Sequence, residues 1–164
     1  MLNGYAYREL LLRQGVQSAA VQNLVDFSDA PVLDYLGALL GVTRLAAAPA
    51  EASLTFTLVS GHGAVTIPVG TRVSSTDGKA VFRTKQDVNV AVGINTASVE
   101  ADCDAPGVIG NGYAIGQIST ILDPQAFLVS ATNPAVTAGG ADEETDANLR
   151  ERIKLDPALS LIHI

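Results

Sequence analysis

The chain has no tryptophan and one cysteine, and only 5% of its 164 residues are aromatic. A single thiol, Cys103, cannot form a disulfide within the chain, which excludes the stapled framework of small secreted domains. Cys103 is therefore expected as a small buried hydrophobe. One cysteine and one usable histidine also fall short of a four-ligand zinc site. With so few aromatics, the core has to come from Val, Ile, Leu and Ala. Long hydrophobic runs are missing too. None approaches the roughly 18 residues of a membrane span, and Asn3-Gly4-Tyr5 stands where a signal peptide would carry cations. Synthesis in the cytoplasm is expected. Positive charge is scarce, with 10 Lys and Arg against 17 Asp and Glu and a formal net charge of −7. Such a surface repels nucleic acid and anionic membranes, so neither is expected as a partner.

Catalytic patterns are absent as well. There is no Gly-x-Ser-x-Gly and no Ser-x-x-Lys. Gly110, Gly112 and Gly116 lack both the order of a phosphate-binding loop and a following lysine. His62, in Ser60-Gly61-His62-Gly63, is the one credible histidine. Ser60 or Asp102 could face it, but no nucleophile motif surrounds it, and it reads as a solvated loop residue. Asp142, Glu143, Glu144 and Asp146 cluster without the spacing of a calcium loop. Asp102 and Asp104 flank Cys103 on what would be the wet face of a strand, with no third ligand. No enzyme activity, cofactor, metal or small-molecule substrate is expected.

What is present begins with helical spacing. Leu12, Val16, Ala19, Ala20 and Phe27 fall on one side of a helix predicted over Tyr5 to Phe27, with Gly15 a blemish inside it. Ser28-Asp29-Ala30-Pro31 signals a new start, since proline is harmless in a first turn. Leu33, Leu36 and Leu40 then form one face, and Gly41 stops the helix. The two helices predict an αα-hairpin.

From Ser53 the pattern turns to period two. Leu54, Phe56 and Leu58 alternate with Ser53, Thr55 and Thr57, as in a strand with one dry face. Val65, Ile67 and Val69 alternate likewise, with Pro68 suiting an edge. Asp77-Gly78 predicts a tight turn between strands at Arg72–Ser75 and Ala80–Thr84. Val88, Val90 and Val92 predict another strand. Ala97, Val99, Ala101 and Cys103 predict one more, and Phe127, Val129 and Ala131 a last one before Asn133-Pro134. Residues 104–116, rich in Gly and Pro, read as a long loop.

Gly139-Gly140 breaks this block, and a helix start follows. Acidic residues crowd its first turn, Thr145 is placed as N-cap, and Arg150, Arg152 and Lys154 lie toward its C-terminal end. Leu149 and Ile153 share a face. The fold class is α+β: an N-terminal αα-hairpin, an antiparallel sandwich or barrel-like insertion, then a helix. The expected boundaries are 1–44 for the helical segment, 45–51 for a linker, 52–138 for the β-rich domain and 139–158 for the returning helix.

Four segments together resemble the baseplate J-like proteins of contractile phage tails and related injection machines. Gly139-Gly140-Ala141-Asp142-Glu143-Glu144-Thr145-Asp146, running into Leu149-Arg150-Glu151-Arg152-Ile153, is similar to the junction after that family's β-rich region. Ile67-Pro68-Val69-Gly70-Thr71 with Asp77-Gly78 and Phe82-Arg83-Thr84 is similar to its strand pair. Gly110-Asn111-Gly112 through Gly116-Gln117-Ile118 resembles its turn, and Leu33 to Arg44 its Leu-Asp-x-Leu-Gly-x-Leu-x-Gly-Val-x-Arg helix. Asn148 departs from the pattern, standing where Glu or Gln would complete the capping box after Thr145.

The resemblance implies a structural wedge component of a tail baseplate, without catalysis. Several copies would meet each other and other wedge proteins in a ring around the tail hub, in the virion of a phage or prophage. The apolar helix faces are the expected contact elements, through Leu12, Val16, Leu33, Leu36, Leu40, Leu149 and Ile153, unless these form intrachain core. The alternative is a carbohydrate- or receptor-binding β-domain of a virion or cell surface, with Tyr113 as its stacking ring. Leu159-Ser160-Leu161-Ile162-His163-Ile164 resembles a translated sequencing adaptor. Residues 159–164 are thus expected to be non-native, with the natural protein continuing past Ala158. The N-terminus is also short against the family.

Overall fold

The computed structural model describes residues 2–155. The expected non-native tail at 159–164, and the end of the last predicted helix at 156–158, lie outside the described residues. The chain divides into two compact units: Ala47–Glu143, and the residues on either side of it. The β-block is thus an insertion into a helical body, and the class is α+β.

The inserted unit holds eight strands: β1 (Pro49–Leu58), β2 (Val65–Ile67), β3 (Arg72–Ser75), β4 (Val81–Thr84), β5 (Val88–Val90), β6 (Thr96–Pro106), β7 (Ile118–Ile121) and β8 (Leu128–Thr132). Six form one antiparallel sheet in the order β7-β3-β4-β6-β1-β8, while β2 and β5 pair separately. The outer strands β7 and β8 lie beside each other, so the sheet is nearly closed into a barrel. Asn133 joins them. Its Oδ1 accepts from the Ile118 N–H at 2.9 Å, and its backbone carbonyl accepts from Gly116 N–H at 3.1 Å. Closure removes most of the exposed edge that an open sheet would present.

Strand alternation builds the interior. On β1, Ala50, Ala52, Leu54, Phe56 and Leu58 are all buried. They meet Val73, Phe82, Val99, Ala101, Cys103, Ile118 and Ala131 from the other strands, and Ile67 and Val90 of the small ladder join the same cluster. Phe82 and Tyr113 meet edge to face with centroids 6.4 Å apart. Cys103 is buried and unpaired, as its isolation in the sequence required. The Asp77-Gly78 turn forms as expected, with Gly78 at φ 72° and the Asp77 carboxylate accepting from Ser75 Oγ and Lys79 N–H.

Several strand predictions need correction: β2 ends at Ile67 and β5 at Val90, leaving Val69 and Val92 exposed, and β1 begins at Pro49 within the linker expected at 45–51. β7 went unrecognised because Ile118-Ser119-Thr120-Ile121 does not alternate. The expected dry face of Phe127, Val129 and Ala131 reduces to Ala131, since Phe127 and Val129 are half exposed or more. The pairing with β1 shifts register between Thr57 and Leu58, so Leu58 faces Leu128. Such a bulge inserts one residue and reverses the alternation beyond it, which turns Val129 outward. The loop expected at 104–116 is shorter than read: β6 runs to Pro106 and a 3-10 turn, Val108–Gly110, follows.

Among surface pairs of the barrel, Arg72 and Asp123 are the best formed. Arg72 Nε and Nη2 both donate to the carboxylate, as does the Arg72 backbone N–H. The guanidinium draws the Asp123 carboxyl down to about 2. A carboxyl depressed in the folded state contributes stability above its ordinary pKa, near 4, and that contribution is lost as pH falls through the folded value. The melting difference between the native chain and Asp123→Asn should therefore be constant above pH 5 and shrink toward zero between pH 4 and 2. A difference independent of pH would contradict the pairing.

The helical unit contains α1 (Leu2–Val21), α2 (Val32–Leu39) and α3 (Asp146–Leu155). α1 ends at Val21 rather than Phe27; turns occupy 22–27. Leu33 of α2 and Leu149 and Ile153 of α3 are fully buried together with Val42. The expected α1–α2 hairpin packing is replaced by packing of α2 on α3. Every residue of α1 from Gly4 to Ala20 is exposed. α2 ends in paired bonds, Val42 N–H to Gly37 O and Gly41 N–H to Ala38 O, with Gly41 at φ 77°. This is the glycine-terminated cap that satisfies the last carbonyls of a helix.

Candidate assembly surfaces

Arg44 organises the helical unit. Its Nε donates to Asp34 Oδ1 at 2.7 Å, its Nη2 to Asp146 Oδ1 at 2.6 Å and its Nη1 to the Glu144 carbonyl at 2.6 Å. Asp34 and Asp146 hold the guanidinium proton more tightly than usual. Arg44 in turn lowers the Asp146 carboxyl, helped by the Ala30 N–H. The mostly buried Glu144 accepts from Leu45 N–H and from Arg152 Nη1 through one carboxylate oxygen.

Arg150 fixes the preceding turn, donating to Val25 O at 2.9 Å and Ser28 O at 2.8 Å. Thr145 caps α3 as expected, its Oγ1 accepting from Asn148 N–H at 3.3 Å. The acidic run does more than favour the helix dipole. Asp142 accepts from Val108 N–H inside the barrel unit, and Glu144 and Asp146 hold Arg152 and Arg44. Sequence spacing could not show this, because Arg44 and Asp146 are a hundred residues apart in the chain.

The seven residues expected at contacts separate into three groups. Leu33, Leu149 and Ile153 are fully buried. They hold α2 on α3 and are out of reach of another subunit. Leu36 and Leu40 are half-buried. Leu12 and Val16 are about 70% exposed, alongside Tyr5, Tyr7, Leu10 and Leu11 on the same helix. Isolated exposed leucines are ordinary, whereas here six large apolar side chains are exposed on one helix.

His62 is not solvated, contrary to expectation. It is 3% exposed, its Nδ1 faces Gly63 O, and its Nε2 lies 2.9 Å from Ile94 O. Its ring ties the glycine-flanked loop to the one that carries Ile94. Neither Ser60 nor Asp102 is among its partners. Asp102 pairs with Lys85, whose ammonium is pushed up to about 12 by Asp102 and Glu51, and Asp104 pairs with Arg83. Among the described residues no three His, Cys, Asp or Glu side chains are grouped to share a metal ion. No described helix is long and apolar enough to cross a membrane. Tyr113, the ring required by the sugar-binding alternative, packs on Phe82 with its hydroxyl toward Asp77. The ring is half-buried against the core rather than free-standing on its loop.

Residues 1–51 match the baseplate J-like N-terminal domain, and residues 53–140 match the baseplate J-like protein barrel domain. The second range falls inside the barrel unit. A comparison with curated proteins gave no match. Among solved structures, the chain is similar to one from the six-fold symmetrised cryo-EM structure of the anti-feeding prophage baseplate. The TM-score is 0.57 and the identity 12%, over 98% of this chain and 48% of that one. At that identity the likeness concerns the fold, and this chain spans about half the length of the other.

Proposed function

The chain belongs to the baseplate J-like protein family, and from that premise we propose that it is a structural component of a contractile tail baseplate. In this role it meets copies of itself and other wedge proteins in a ring, in the tail of a phage or prophage particle, and it performs no reaction. The observation that carries the proposal is the pair of family matches, over residues 1–51 and 53–140, the second lying within the barrel unit. The exposed α1 adds to it. A solitary helix with Leu12 and Val16 in solvent gains by burying those side chains, at about 25 cal/mol for each Å² of apolar area.

The test is made on assembled particles from the organism that encodes this chain. The tagged protein is expected at the baseplate in immunogold images of purified tails, and Leu12→Glu with Val16→Glu is expected to cut its incorporation at least tenfold. Both side chains are exposed, so the circular dichroism of the double variant should match that of the native chain. A tag absent from particles would refute the baseplate role. Normal incorporation of the double variant would refute the role of α1.

A further inference from the structure

We propose that His62 is a proton-operated latch between two loops of the barrel. Its ring is 3% exposed, and both ring nitrogens are aimed at backbone carbonyls. Nδ1 lies 2.5 Å from Gly63 O, and Nε2 lies 2.9 Å from Ile94 O. A carbonyl oxygen only accepts. A neutral imidazole carries one N–H and one lone pair, so it serves one of these oxygens and faces the other lone pair to lone pair. The imidazolium carries two N–H groups and serves both. The closed arrangement therefore fits the protonated ring, with the proton taken from solvent and returned to it.

Burial by itself resists the charge, and two charge-assisted hydrogen bonds favour it. No carboxylate stands among the partners of the ring. It meets its own loop, Ile94, and Phe127 at a centroid distance of 6.3 Å. Residues 52–71, 88–99 and 124–141 contain no Asp, Glu, Lys or Arg. Just outside them, Asp123 binds Arg72, Glu51 binds Lys85, and Asp87 accepts from Val69 N–H at 2.6 Å. The two carbonyls are thus the groups that answer the charge.

Chain length decides which contact yields when the proton leaves. Gly63 is the next residue, so its contact with Nδ1 closes a small ring at little entropic cost. The Ile94 contact spans 32 residues of chain and closes a long loop. Deprotonation keeps Nδ1–H on Gly63 O and sets the Nε2 lone pair against Ile94 O, which releases the 91–95 loop. The same loop is tied to the end of β1 beside the latch, where Leu58 N–H donates to Asn95 O at 2.8 Å. Ile94 is half exposed, so the proton sets where an apolar surface side chain stands. Histidine is the side chain whose charge ordinarily changes between about pH 5 and pH 8.

The inference rests on the ring geometry and not on the family assignment. It is tested by NMR on the 164-residue chain carrying His163→Gln, which leaves one imidazole. At about pH 5.5, two ring N–H signals are expected, one coupled across its hydrogen bond to the Gly63 carbonyl carbon and one to that of Ile94; at about pH 8 the Ile94 coupling should be gone. Amide protection at Leu58, corrected for the intrinsic exchange rate, should fall at least tenfold over the same interval. In His62→Gln, whose side chain does not titrate, that protection should be equal at both pH values. Identical ring signals at the two pH values, whether one N–H or two, overturn the latch. So does an Ile94 coupling that persists at the higher pH, or a Leu58 protection that falls equally in His62→Gln. The ring signals of the native histidine keep the test decisive even where His62→Gln does not fold. None of these results bears on incorporation into particles, which tests the baseplate role separately.

Discussion

Asn133→Ala is expected to lower the melting temperature by about 10 °C, from the loss of about 3 kcal/mol in a chain of this length. The side chain is fully buried. Its Oδ1 accepts from Ile118 N–H, and its Nδ2 donates to Ala114 O at 2.9 Å and Ala135 O at 2.8 Å. Alanine leaves the buried Ile118 N–H without a partner and removes the bonds to the carbonyls of Ala114 and Ala135, both on exposed residues. Each loss costs about 1–3 kcal/mol if nothing replaces the bond, with partial relaxation holding the sum near the lower end.

The damage falls where β7 meets β8, which is where the sheet closes. Asn133→Asp separates hydrogen bonding from volume. The carboxylate keeps the Ile118 bond but turns an acceptor toward two carbonyls, so at pH 7 it should melt no higher than the alanine variant. Thermal and urea unfolding followed by circular dichroism check both. An aspartate variant as stable as the native chain would show that the two donated bonds contribute nothing.

Gly37→Ala should destabilise by about 2 kcal/mol, against the usual rule that alanine improves a helix. Propensity favours the change by up to about 1 kcal/mol. Space opposes it. A Cβ on Gly37 would lie 2.6 Å from the Val42 carbonyl oxygen and 3.1 Å from Ile153 Cδ1. The side chain of Ile153 can shift, but the Val42 carbonyl is backbone directly beyond the cap that ends α2. Forcing atoms into a packed interior costs about 1–3 kcal/mol, and here it also pries α2 from α3. Urea unfolding gives the sign directly; a midpoint above that of the native chain would mean that the cap yields more readily than its bonds suggest.

The sequence was legible where one local rule acted alone. Alternation from Leu54 to Leu58 showed the inward face of β1, though not its start at Pro49 inside the expected linker; Asp77-Gly78 showed its turn, Gly41 its cap, and Thr145 the start of α3. It misled where a second, distant constraint entered. The bulge opposite Leu58 reversed Val129, and nothing within residues 127–131 announces it. His62 looks like a solvated loop residue until Ile94 O and Phe127 are brought beside it. The apolar stripes of α1 and α2 look alike in sequence, yet Leu33 is buried and Leu12 is not. The pairing of helix faces depends on which partner is in place, and periodicity does not encode that. Arg44, which links both ends of the helical unit, was visible as a motif residue, but its role needs three partners from separate segments.

The chain leaves the helical unit and returns to it through neighbouring positions. Glu144 N–H donates to Leu45 O at 3.0 Å, while Ala48 and Ala141 exchange bonds at 2.8 and 3.0 Å. This narrow stem makes the barrel an interchangeable cassette. Loop-closure entropy changes by only about 0.6 kcal/mol for each doubling of the enclosed length, so a larger, smaller or wholly different module fits the same two ends at little cost to the helices. A lineage can therefore rewrite what stands between residues 45 and 144 while leaving the ionic lock around Arg44 untouched.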